Sequence, residues 1–128
     1  MQPVNLFDLA AQQARWLAVR QSVIAGNVAN VNTPGYHGVD VKPFSAVLDD
    51  TTVTMKATEP GHFGANKPSA EMVALRQDDD RTEIVPSGNS VQLEDELLKA
   101  ADVRRAFELN TAIVKAFHQM MTMTTKGT

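Results

Sequence analysis

Ala25-Gly26-Asn27-Val28-Ala29-Asn30-Val31-Asn32-Thr33-Pro34-Gly35-Tyr36 is the stretch on which the reading of this chain turns. Upstream of it the apolar residues recur at helical spacing, and downstream they do not. Pro34 has no backbone N–H and disfavours helical geometry at Thr33, so a helix arriving from the N-terminus must stop a residue or two earlier. Pro34-Gly35 then suits the centre of a type II turn, with proline setting the first φ and glycine accepting a positive second one. Asn27, Asn30 and Asn32 place amides where a helix end more often carries charge. Such amides can bond the carbonyls freed at the helix terminus or reach a neighbouring chain.

Working outward, residues 5 to 31 read as one helix. Asn5 is placed to cap it, and Asp8 falls in the first turn, where the helix dipole favours an acid. Leu9, Trp16 and Val23 repeat at heptad spacing, flanked by Ala10, Leu17, Ile24 and Val31, while Gln12, Arg15, Arg20 and Gln21 fall largely elsewhere. This is a coiled-coil-like stripe, on a helix that at 1.5 Å per residue extends roughly 40 Å. Gly26 weakens the helix interior by about 1 kcal/mol relative to alanine, and close approach by another backbone is one reason to keep it.

A second helix is predicted over residues 91 to 123, opened by an Asn89–Gln92 pair resembling a capping box. Glu94, Asp95 and Glu96 lie in its first turns and Lys115, His118 and Lys126 come late, a polarity that complements the dipole. Leu93, Ala100, Phe107, Val114 and Met121 keep a strict heptad spacing, joined by Leu97, Ala106, Ile113, Phe117 and Met120. Arg104, Asn110 and Thr111 interrupt the stripe, as register-fixing residues do.

Between the helices the character changes. Five of the six prolines lie between residues 34 and 86. Val39 and Val41 alternate with polar residues, as do Val53 and Met55, which is strand spacing; Pro43 ends the first, and Phe44, Val47 and Leu48 form a brief apolar anchor after it. Segments 71–75 and 82–85 are short and of undecided type, and Asp78-Asp79-Asp80 reads as a solvated tip. So long a structure-poor insert points to ordering by partners.

The fold expected is therefore mainly α, with long terminal amphipathic helices paired as an antiparallel coiled-coil-like hairpin around a loop-rich middle with short β segments. Residues 1–36 and 89–128 form its helical parts and 37–88 its middle. Two helices cannot cover stripes this wide, and surplus apolar surface on a helical hairpin marks an interface. A heterologous interface of that kind generates a filament or tube.

Composition excludes much else. The chain has 128 residues, no cysteine and a formal net charge of −3, enough for one domain and against a nucleic-acid footprint or a disulfide framework. The N-terminus lacks the basic start, apolar core and cleavage site of a secretory signal, and no run nears the ~18 apolar residues of a membrane span. His37, His62 and His118 share no metal-ligand spacing. Asp78, Asp79, Asp80 and Glu83 lack the ligand alternation and central glycine of a calcium loop. Ser45, Ser69, Ser87 and Ser90 sit in no nucleophile motif, and Glu59, Glu71 and Asp78 have no surrounding glycosidase pattern. The expectation is a protein with no catalytic residues, cofactor, metal, nucleic acid or small-molecule substrate.

The run Asn27-Val28-Ala29-Asn30-Val31-Asn32-Thr33-Pro34-Gly35-Tyr36 resembles the signature with which flagellar rod and hook proteins close their N-terminal helix. Leu6-Phe7-Asp8 at the front, with Val91-Gln92-Leu93-Glu94-Asp95-Glu96-Leu97 and Arg105-Ala106-Phe107-Glu108-Leu109-Asn110 at the back, is similar to the shorter, proximal-rod members of that family. The FlgC-like type shares the turn but carries a different aromatic and asparagine pattern in its last helix. The resemblance implies a structural rod subunit of the bacterial flagellar basal body, exported unfolded by the flagellar type III apparatus and assembled in the periplasm. It implies as partners further copies, FlgC-like and FlgF-like rod proteins, a FliE-like adaptor, the membrane ring and the export gate. Leu9, Trp16, Leu17, Val23, Ile24, Leu93, Leu97, Phe107, Ile113, Val114, Phe117 and Met121 would serve packing and assembly. Asn27, Asn30 and Asn32 to Tyr36 would form the signature turn, setting the angle at which the middle leaves the helices. From the residues alone, a soluble helical adaptor or secretion chaperone that binds a partner's amphipathic helix is the competing reading.

Overall fold

A computed structural model describes residues 6–49, 75–77 and 86–127. In chain order it contains α1 (Leu6–Ala29), β1 (Val39–Val41), α2 (Phe44–Asp49), β2 (Leu75–Gln77) and α3 (Leu93–Lys126). The chain is mainly helical, its two long helices packed together beside a small two-stranded sheet. The helices run antiparallel. Phe7 meets Phe117 edge-on with ring centroids 5.4 Å apart, the Asn110 amide donates to the Ala10 carbonyl at 2.9 Å, and at the far end Asn27 donates to Glu96 at 3.1 Å.

Trp16, Leu17, Ile24, Val41 and Val103 form the buried apolar cluster, with Val19, Val23, Val28, Phe44, Val47, Ala100 and Ala106 packed against it. The apolar anchor after Pro43 is the short helix α2, whose Phe44 ring lies 5.9 Å from that of Trp16. The expected strand at Val39–Val41 pairs antiparallel with β2, Val39 opposite Gln77 and Val41 opposite Leu75. Of the undecided segment 71–75, Leu75 opens β2, and residues 71–74 lie outside the described residues. The strand expected at Val53 and Met55, segment 82–85, the acidic tip 78–80 and the Asn5 cap lie outside the described residues.

Three sequence expectations are corrected. The seam of α3 toward α1 is not the column Leu93, Ala100, Phe107, Val114, Met121. Its buried residues are Glu96, Val103 and Asn110, with half-buried Phe117 one heptad further on. Two of the three buried seam positions are polar, and a search for apolar periodicity assigns such positions to the solvent face. Asn110, read as an interruption, is therefore a seam residue. Second, Asn89 is not the cap of α3. Gln92 occupies that position without a side-chain capping bond, and the Asn89 side chain is engaged elsewhere. Third, a Cβ on Gly26 would meet nothing within 4 Å, so no described backbone approaches it.

Candidate assembly site

The signature stretch is the joint of the molecule. As α1 ends it tightens: Asn30 N–H reaches both the Gly26 and Asn27 carbonyls, at 3.2 and 3.1 Å, and Val31 and Thr33 N–H donate to Val28 and Asn30 carbonyls three residues back. The Asn30 amide adds a second bond to the Gly26 carbonyl, donating to it at 2.9 Å. Thr33 N–H and side chain both turn back to Asn30, the hydroxyl to Oδ1 at 3.1 Å. The Pro34-Gly35 turn forms as expected, with Tyr36 N–H donating to Thr33 O and Gly35 at φ +70°. Asn32 and Pro34 are exposed.

The segment before α3 then runs alongside this turn. Gly35 N–H donates to Ser87 O at 3.0 Å and Ser90 N–H to Tyr36 O at 3.1 Å. Asn89, 2% exposed, aims its amide at the carbonyls of Asn30, Val31 and Thr33, at 2.9, 3.0 and 2.8 Å, while its Oδ1 accepts Val91 N–H. One side chain, with two N–H donors, thus lies within reach of three carbonyls of the turn that follows α1, of which Asn30 O and Thr33 O also accept a turn N–H.

Asn27 does the equivalent for β1. It is fully buried; its amide donates to Val39 O at 2.7 Å and to Glu96 Oε2 at 3.1 Å. Its Oδ1 accepts Val39 N–H at 3.1 Å and the Tyr36 hydroxyl at 3.3 Å. The side chain therefore pairs with both backbone groups of Val39, as a neighbouring strand would. Beside it, Arg20 holds both oxygens of Asp40 at 3.2 Å. Lys99 stands 3.2 Å from Glu96 and 3.7 Å from Asp40. Buried charges persist only when paired and hydrogen-bonded, and here the acids come from β1 and α3 and the cations from α1 and α3. Arg20 also lies over the Trp16 ring, and the Trp16 indole N–H donates to Lys42 O at 2.8 Å. Glu96, Lys99, Arg20 and Asp40 come from three elements; the i,i+3 spacing of Glu96 and Lys99 on α3 is visible in the sequence, whereas nothing local joins them to Arg20 and Asp40.

Away from the joint the molecule leaves apolar surface open. Of the packing residues expected from the sequence, Trp16, Leu17 and Ile24 are buried, and Leu9, Val23, Val114 and Phe117 are half-buried. Leu93, Leu97, Phe107, Ile113 and Met121 are 41%, 58%, 49%, 46% and 50% exposed, so they do not hold the hairpin together within one chain. They divide between two faces. On one flank of the seam, Phe107 walls a shallow groove floored by Leu17, Ala18, Ala100 and Val103, with Leu93 and Leu97 further along. On the other flank Leu109, Ile113, Met120 and Met123, all exposed, follow helical spacing. No described helix is long and apolar enough to cross a membrane.

A helical hairpin closed by an asparagine-rich joint, with open apolar faces along its longer helix, is the frame of an axial assembly protein. Residues 9–37, from α1 through the turn, match the model of the flagella basal body rod protein family. The chain belongs to that family, and it is a structural rod subunit of the flagellar basal body. Within the family it stands among the FlgB proteins. It is 48% identical to the flagellar basal body rod protein FlgB of Agrobacterium fabrum, over 98% of this chain and 96% of the relative. FlgB of Buchnera aphidicola is 25% identical over 96% of each chain. FlgB of Cereibacter sphaeroides ATCC 17023 is 30% identical over 74% of this chain and 73% of the relative.

Proposed function

We propose that this subunit polymerises through its terminal helices, the open faces of α3 being covered by neighbouring subunits of the rod. The observation that carries the reading is the exposure of Leu93, Leu97, Phe107, Leu109, Ile113, Met120 and Met121 on one helix. Apolar patches of this extent on a soluble chain are sites of association. The functional division follows: helices within 1–36 and 89–128 make the axial contacts, and the middle, 37–88, leaves the first helix at the angle set by Asn32 to Tyr36. The neighbours are further copies, FlgC-like and FlgF-like rod proteins and a FliE-like adaptor, next to the membrane ring and the type III export gate that delivers the subunit. The role is structural, without catalysis, cofactor or small-molecule substrate.

The test is complementation of a flagellated strain lacking the gene, with Ile113→Glu and Met120→Lys introduced separately. Both positions are open in the single chain, so folding should survive, as read by circular dichroism, while rods and motility are lost. Normal rods from both variants would refute the assignment of this face.

A further inference from the structure

We propose that Asn27 and Glu96 form a register lock, selecting one alignment of α1 against α3 from several that the apolar residues alone would allow. The lock acts within one chain and does not depend on what covers the outer faces. Its motivation is a mismatch between the two kinds of contact along the seam. Apolar contact discriminates poorly here, because α3 carries a second column, Leu93, Ala100, Phe107 and Val114, beside the buried one. Rotating or sliding α3 exchanges one apolar set for another, and burial of hydrocarbon is non-directional.

Glu96 and Asn27 are different. Each is 0% exposed, and they meet across 69 residues of sequence at 3.1 Å. In any other alignment Glu96 Oε2 enters the seam without this donor, Lys99 of its own helix remaining on Oε1, and the Asn27 amide, still held to Val39 O, loses this acceptor. A buried polar group left without its partner carries its full desolvation penalty, whereas slipping a leucine by one turn loses little. Buried asparagines in helical seams are the best-attested register devices.

The third party to the lock is β1. Both backbone groups of Val39 lie on Asn27, and Asp40 links Arg20 of α1 with Lys99 of α3. The alignment is thus selected with the start of the middle segment in its seat. At the opposite end the single bond from Asn110 to the Ala10 carbonyl requires only a backbone oxygen, which every helical position offers. That contact is permissive where the Asn27–Glu96 pair is selective.

The chain has no cysteine, so introduced pairs report alignment without background. Phe7→Cys is combined in turn with Val114→Cys, Phe117→Cys or Met121→Cys, and intramolecular coupling by a short bifunctional thiol reagent is timed in dilute full-length protein. With the lock intact, the 117 pair should couple about tenfold faster than the others, the ratio commanded by one unsatisfied buried polar group. With Asn27→Leu and Glu96→Leu together the ratio should fall toward one while helicity persists, and Glu96→Gln should keep the preference. An unchanged preference in the double leucine variant overturns the proposal, as does a parent chain with no preference at all. Should the double variant lose its helicity, Asn27→Leu alone must relax the preference and Asn110→Leu must retain it; equal ratios for those two also overturn it.

Discussion

Asn89 shows how much of the joint rests on single side chains. Replacing it with alanine removes the donor to the Val31 carbonyl and the acceptor of Val91 N–H, while the Asn30 and Thr33 carbonyls keep their turn N–H partners, and should destabilise the chain by about 1–3 kcal/mol, read as a lower urea midpoint with an unchanged slope. Gly35 faces a backbone constraint instead. Its φ of +70° makes Gly35→Ala cost about 1–2 kcal/mol, and Gly88, also at positive φ, sits against it with a would-be Cβ 3.6 Å from the Gly35 Cα. Gly26 should behave in the opposite sense. With open space where its Cβ would be, Gly26→Ala should stabilise the isolated subunit by about 1 kcal/mol through helix propensity, measured in the same denaturation series. At this scale the turn was legible, because proline and glycine act through their own backbone geometry. The roles of Asn27 and Asn89 were not, because their partners lie on segments distant in sequence and no local rule names them.

Among the elements, α1 was read nearly to its ends: residues 5 to 31 expected, Leu6–Ala29 observed. The face of α3 was read one column away. Its true seam holds Glu96 and Asn110, so the apolar pattern that a sequence displays describes the helix's outer flanks as much as its inner contact. The two flanks account for the surplus that two helices could not cover. Pro34→Ala with Gly35→Ala should let α1 overrun the turn and tear Asn30, Val31 and Thr33 from Asn89. Amide exchange would register this as lost protection around residues 87–91, and rods assembled normally by that variant would rule out the turn's role in setting the angle of the middle.

For the whole molecule, the antiparallel pairing and mainly helical class followed from the two stripes and the loop-rich interval between them. Less accessible was the seating of the middle's first part. Val41, Phe44 and Val47 pack into the same cluster as Trp16 and Leu17, yet Val39 to Leu48 is too short and mixed in pattern to announce where it docks. The result is a subunit with a polar, tightly bonded head and an α3 that carries open apolar flanks along its length. That asymmetry suits a chain whose single-subunit contacts set its shape and whose remaining apolar surface is completed by neighbours.

The most direct measurement is thiol labelling of single-cysteine variants, Ile113→Cys and Met120→Cys, with Glu108→Cys as an exposed reference, in the dilute subunit and in isolated rods. Both α3 positions should label in the subunit as readily as the reference and become protected in rods. Equal labelling of both positions in subunit and rod would contradict the claim that neighbouring subunits cover this helix.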